Sequence, residues 1–295
     1  MKNFITTGIT VFCTIIFISC EKREPSNVIE ESKFYASFNG ETQTKATTQF
    51  TNGNKATIYG YSAGANVTSA TPVSGTPVDA TCGPAGLLTP TTPVFLSKGS
   101  YDFYSVSLNN RNSPNMTFSS GVSGQLSNGI DYLWAKCVNI AQGGTASFTY
   151  NHKAVGIEIN VTPGTGISNL SVTSISITPA TPAANSKMNL SSGSIGESNS
   201  VGAMTPISLS GQQGKYIMLP LSSIGINIEL TVNATIGGTA VTAKKYSASI
   251  PAQAYSSGYY YKINLTVSST ALQFSGAQVD DWTNQTITGI SLTEQ

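Results

Sequence analysis

Charge is what this sequence has least of. Only 10% of its 295 residues are Asp, Glu, Lys or Arg, and the formal net charge is +1. A nucleic-acid partner needs a basic stripe to neutralise phosphates, and none is present, so no nucleic acid is expected as a partner. Histidine occurs once, as His152. A single imidazole, set between two strand-like runs, reads as a hydrogen-bonded structural residue rather than part of a catalytic triad or a metal site. Aspartate is sparse, and the neighbours Asp280 and Asp281 would point to opposite faces of a strand, which argues against a shared calcium. No glycine-rich run stands between a strand and a helix, as a phosphate loop requires. The chain therefore presents no catalytic set, no metal ligands and no cofactor motif. An enzyme is the least supported class.

Long apolar runs are missing too, except at the start. Residues 4–19, FITTGITVFCTIIFIS, carry no charge and follow Lys2. The stretch is short of the ~20 residues of a bilayer span. It has the length and flanks of a secretory signal. Phe17-Ile18-Ser19-Cys20 resembles a bacterial lipobox, with Phe17 where Leu is usual, and the polar run Glu21-Lys22-Arg23-Glu24-Pro25 follows at once. The expectation is a lipoprotein signal peptide over residues 1–19, lipidation of Cys20, and a polar tether over 20–32. The alternative is an ordinary signal peptide that contains a cysteine. Acyl chains of the palmitate type on one residue supply the two signals that stable anchoring needs. Such a lipid would hold the exported chain at a membrane surface.

Cysteine is scarce, and its use fits export. Cys13 would leave with the signal and Cys20 would be acylated, which leaves Cys82 and Cys137. An even pair in an oxidising compartment is a disulfide candidate. Closing a loop of about 55 residues would add roughly 4 kcal/mol in the chain-entropy model. Two separate buried thiols are the other reading.

What is abundant is alternation. Hydrophobic residues make up 39% of the chain and recur with period two, while no mature segment shows helical periodicity. Phe34, Ala36 and Phe38 alternate with Tyr35 and Ser37. Ala56–Tyr61, Tyr101–Leu108, Asp131–Ile140 and Thr145–Tyr150 read as strands, the last two joined by the turn Gln142-Gly143-Gly144. Val155, Ile157, Ile159 and Val161 follow. Thr162-Pro163-Gly164-Thr165-Gly166 interrupts the pattern and reads as a boundary. Beyond it come runs at Leu170–Ile177, Ile226–Val232, Val241–Ala248, Tyr259–Val267 and Leu272–Trp282, with a last candidate at Thr286–Leu292. Residues 178–200 read as a loop around a short strand at Met188 and Leu190. The predicted fold is all-β, two tandem β-sandwich domains over 33–163 and 164–295.

Several stretches together resemble the fimbrillin-like pilus proteins of Bacteroidales. They are Phe34–Phe38 followed by Thr44-Lys45-Ala46-Thr47, then Phe50–Tyr61, then Asp131–Ala135 with Phe148–Val161, and finally Tyr259–Trp282. The resemblance implies two β-sandwich domains of the transthyretin-like, Greek-key kind. It implies lipidation, transfer to the outer surface of the outer membrane, proteolytic removal of the first strand, and assembly with other pilus subunits into a fimbrium by strand addition into the vacated groove. Cell adhesion, with a host or bacterial surface ligand, is the role it implies.

The family commonly matures by a cut after arginine, and this chain has only Arg23 and Arg111. A cut at Arg23 would leave the first strand in place, and Arg111 lies in a loop inside the first domain. The residue at the expected position is Lys45. Three outcomes follow: a cut between Lys45 and Ala46, an uncut and anchored subunit, or a surface lipoprotein that does not polymerise. Residues 283–295, with Ile287, Ile290 and Leu292, are a candidate donor strand or an ordinary last strand. The rival function is a non-polymerising glycan-binding lipoprotein, which needs an exposed aromatic platform from Trp134, Tyr259, Tyr260 or Tyr261.

Overall fold

The computed structural model describes residues 29–38, 50–114, 116–269, 272–281 and 285–287. Its elements are strands throughout, apart from one short 3-10 turn at Pro84–Gly86. The first half begins with β1 (Glu30–Glu31), β2 (Lys33–Phe38), β3 (Lys55–Ser62), β4 (Val78–Cys82) and β5 (Leu87–Pro90). It continues with β6 (Phe95–Leu96), β7 (Ser100–Ser107), β8 (Phe118–Ser119), β9 (Val122–Ser123), β10 (Leu133–Ala141) and β11 (Thr145–His152). The second half begins with β12 (Val155–Pro163), β13 (Ile167–Ile177), β14 (Thr205–Pro206), β15 (Ser208–Ser210) and β16 (Gln213–Met218). It ends with β17 (Leu221–Ile236), β18 (Thr239–Tyr255), β19 (Tyr259–Val267), β20 (Leu272–Asp281) and β21 (Gln285–Ile287).

The first half closes on itself. Its seven main strands run β10-β11-β2-β5-β4-β3-β7, and β7 pairs back to β10. The fold is all-β, as expected from the sequence, and in this half the strands close into a barrel. Closure leaves no free edge. Alternation fixes what points inward: Ala56 and Ile58 on β3, Tyr101 and Phe103 on β7, and Leu133 and Ala135 on β10 join Phe34 and Phe148 in one core. The opposite faces of the same strands are buried as well. Tyr59, Tyr104, Val106 and Trp134 belong to a second, larger core that continues into the second half.

The second half is two sheets. One runs β15-β16-β12-β19-β20-β21, the other β14-β13-β17-β18. Ile157, Ile159, Ile226, Ile228, Leu230 and Ile263 fill the space between them. Strand β12 is central here, antiparallel to β16 and parallel to β19. The sequence reading put it in the first domain, because Pro163 and Gly164 look like a boundary. They mark only the turn into β13. The change of sheet falls between His152 and Val155.

The long hairpin β17–β18 turns at Gly237 and Gly238, both with positive φ (55° and 85°), the backbone that a two-residue hairpin turn needs. Among the described residues β18 pairs only with β17, so it is a sheet edge. It carries Lys244, Lys245 and Pro251.

Candidate functional site

The site is the place in the barrel wall that β2 occupies. On one side β2 runs parallel to β11, from Lys33 opposite Thr145 to Phe38 opposite Tyr150. On the other side it is antiparallel to β5, through Phe34–Leu88 and Tyr35–Leu87 only. The segment before it is also held: β1 pairs with β6, and the Ser32 amide donates to the Val94 carbonyl at 3.0 Å.

Phe34 is the inward anchor and is fully buried. Its ring meets Phe103 edge-on at 5.2 Å and stacks over Phe148 at 6.2 Å. Leu88 closes the pocket from β5. Deeper in, Tyr150 bonds Ser105 through its hydroxyl and stacks on Phe50 at 4.8 Å. Burial raises the Tyr150 pKa, so the phenol stays neutral. Gly86, at φ 76°, passes so close to β2 that a Cβ there would collide with the Ala36 carbonyl oxygen. The strand is thus gripped by shape and by main-chain bonds rather than by charge. The sequence reading named Phe34 within the first strand but missed Gly86, Leu88, Phe103 and Phe148 as its partners. Alternation marks Phe103 and Phe148 as inward-facing, yet nothing local says which strand each will meet, and Gly86 belongs to a turn that carries no alternation at all.

Other residues singled out from the sequence are placed as follows. Cys20, Lys45, Ala46, Ile290 and Leu292 lie outside the described residues. Ile287 ends β21, whose backbone pairs with β20 opposite Ala277. Cys82 and Cys137 are free thiols, so the disulfide is absent from this structure. Both face the barrel interior, on β4 and β10, and the Cys137 Sγ donates to the Ser147 carbonyl at 3.0 Å. Burial pushes the Cys137 thiol up to about 11 and raises that of Cys82.

A pKa near 11 instead of 9 leaves about 100-fold less thiolate at pH 8. Iodoacetamide should therefore label Cys137 in the native protein at least that much more slowly than an exposed thiol. Its rate should climb about tenfold per pH unit below pH 10. In denaturant without reductant both cysteines should label. Failure to label there would establish the disulfide instead.

His152 sits in a buried polar chain. Its Nδ1 is 2.7 Å from Asp131 Oδ1, Asn109 donates to Asp131 Oδ2 at 2.9 Å, and Asn54 donates to Asn109 Oδ1 at 2.9 Å. These bonds satisfy groups that loop backbone alone would leave buried. Among the described residues no three His, Cys, Asp or Glu side chains are grouped as metal ligands.

Of the four aromatic residues named for a glycan platform, three are core residues, and Tyr259 is half-buried and packs against the same core. Trp134 is 7% exposed, and Tyr260 and Tyr261 are 5% each. The Trp134 indole donates to the Leu190 carbonyl at 2.8 Å, and Tyr260 donates to Glu158 at 2.9 Å. A shallow open groove on the second half is lined by Asn185, Ile195, Glu197, Asn199 and Ser222, with no aromatic ring in its lining.

Comparison with known proteins places this geometry. The family model described as fimbrillin-like matches residues 42–282. No curated protein matches the sequence. Among solved structures, a protein described as a cell adhesion protein of Bacteroides uniformis superposes with a TM-score of 0.62 at 16% identity, covering 86% of this chain and 99% of its own. Another from Bacteroides ovatus gives 0.59 at 13%, covering 88% and 99%. A tip fimbrial protein of Porphyromonas gingivalis, truncated at its C-terminus, gives 0.51 at 10%, covering 86% and 100%. At these identities the likeness is one of fold.

Proposed function

This chain belongs to the fimbrillin-like family, and from that premise we propose that it is a fimbrial subunit delivered as a lipoprotein and assembled by strand exchange. The family is one of structural pilus subunits rather than enzymes, so a cell-surface fimbrium is where the protein belongs and other subunits are its partners.

In the finer reading, Cys20 carries the lipid that brings the chain to the outer membrane. A protease then cuts between Lys45 and Ala46. One observation carries this reading. Among the described residues, the only main strand of the barrel that precedes Lys45 is β2, an insert between β11 and β5. After a cut at Lys45 it would be held by non-covalent contacts alone. The two arginines offer no equivalent. A cut at Arg23 leaves β2 attached, and Arg111 lies in the loop after β7, packed against Gly53.

The vacated slot would present the edges of β11 and β5 and an aromatic-lined pocket. That is an acceptor for an extended strand, with main-chain bonds giving affinity and alternating side chains giving register. The donor we assign to the C-terminal stretch around Ile287, Ile290 and Leu292. Its nearest described part, β21, is a three-residue edge strand, the position most easily given up by a sheet.

N-terminal sequencing of the protein from sheared surface fibres should read Ala46 onward. Recovery of only the acylated Cys20 form from fibres would sink the cutting step. Extracts should also run as a ladder that resists denaturant, and the ladder should vanish when residues 284–295 are deleted.

A further inference from the structure

Ser32 is 4% exposed, and its hydroxyl oxygen has no hydrogen-bond partner. It lies between β1 and β2, so it is not a frayed end. Glu30 and Glu31 pair with Leu96 and Phe95 before it, and Lys33 pairs with Thr145 after it. It shares the inward parity of Phe34, two residues on, and stands opposite Val94. Val94 and Leu96 are both buried in the barrel core.

A hydroxyl taken out of water without a partner weakens the structure that buries it, by roughly 5- to 150-fold in an equilibrium constant. The resident strand therefore fits its slot imperfectly, at a named atom. Main-chain bonds cannot favour one strand over another, because any extended strand in register makes the same ladder. The Phe34 pocket cannot do so alone either, since any large apolar side chain fills it. Discrimination must come from a position where resident and incoming side chains differ in fit.

We propose that position 32 is a specificity-determining position of the strand slot, selecting an incoming strand with alanine or glycine in that register over the resident serine. Burial opposite Val94 excludes anything bulky there, because overpacking a closed core is itself destabilising. A strand that lacks the hydroxyl keeps every main-chain bond and removes the fault. The inference rests on the strand-exchange reading above.

The test uses the full chain cut once between Lys45 and Ala46, with the resident segment still in place. Synthetic peptides spanning residues 29–45, native or carrying Ser32→Ala, are added in equal excess. Native mass spectrometry then reads which peptide occupies the slot. The Ser32→Ala peptide should win by roughly tenfold. Equal occupancy overturns the inference and leaves strand exchange standing. If neither peptide enters, strand exchange itself fails and the inference falls with it. A second measurement uses the uncut chain. Ser32→Ala should raise its denaturation midpoint, and a lowered midpoint would show that the hydroxyl is satisfied after all.

Discussion

Phe34→Ala should destabilise the barrel by about 3–5 kcal/mol, the usual cost of deleting a fully buried phenyl ring. Phe34 has no exposed surface, and its ring holds two aromatic neighbours in place. Edge and stacked pairs of this kind add about 0.5–1.5 kcal/mol beyond area burial. The loss falls on a strand that is held on one side by two residue pairs, since β2 meets β5 at only Phe34 and Tyr35. Denaturant titration followed by circular dichroism measures it. The exposed Ser37, on the opposite face of the same strand, is the control, and Ser37→Ala should stay within about 0.5 kcal/mol. A Phe34→Ala protein as stable as the parent would mean that β2 does not fill the barrel. The same substitution should speed loss of the resident strand after a cut.

Trp134 is the second place where one side chain carries a large share. It leaves β10 on the outer face of the barrel and buries its ring against the 189–194 turn of the second half. Its indole satisfies the Leu190 carbonyl, and the Lys153 ammonium lies 5.0 Å over the ring. Burial lowers the Lys153 pKa, which marks how little water reaches this junction. Gly193 faces the ring at φ 68°, and a Cβ there would strike it. Trp134→Ala should cost about 3–5 kcal/mol, and Gly193→Ala should be costly on its own through both strain and collision. In the double variant the vacated ring leaves room for the new methyl. The two penalties should then fall short of their sum by about 1 kcal/mol or more. Strict additivity would mean that the turn and the ring do not meet.

Much of this architecture is legible in the sequence because period-two alternation is a local signal. Tyr101–Ser107, Thr145–His152, Val155–Pro163 and Tyr259–Val267 are all strands close to where the pattern puts them. Met188 and Leu190, read as a short strand in a loop, are fully buried, with Met188 bridged to Ile195. What alternation cannot carry is partnership. β12 and β19 lie side by side although about a hundred residues separate them, and no local cue records it. A turn after Pro163 looks the same whether it joins two domains or two strands of one. Closure of the barrel is hidden for the same reason, since it depends on β7 meeting β10 and β2 meeting β11. The strands β17 and β18 run longer than read, 16 and 17 residues, because β-bulges let them continue past positions where the alternation breaks. Ser32 was passed over as part of a polar tether, and only its surroundings reveal that it is buried.

The free flank of β18 has a consequence for shape. A molecule that lengthens by lending strands must not also grow sideways, because two usable edges per molecule would give branched or sheet-like matter rather than a thread. Lys244 and Lys245 put neighbouring positive charges along that flank, and Pro251 removes an amide that a visiting strand would need. The outer strands β14 and β15, and those of the two-stranded pairs β1–β6 and β8–β9, are two or three residues long, too short to template a partner. Lateral growth is thereby discouraged along these edges, which leaves the strand slot as the favoured direction in which a chain of such molecules extends.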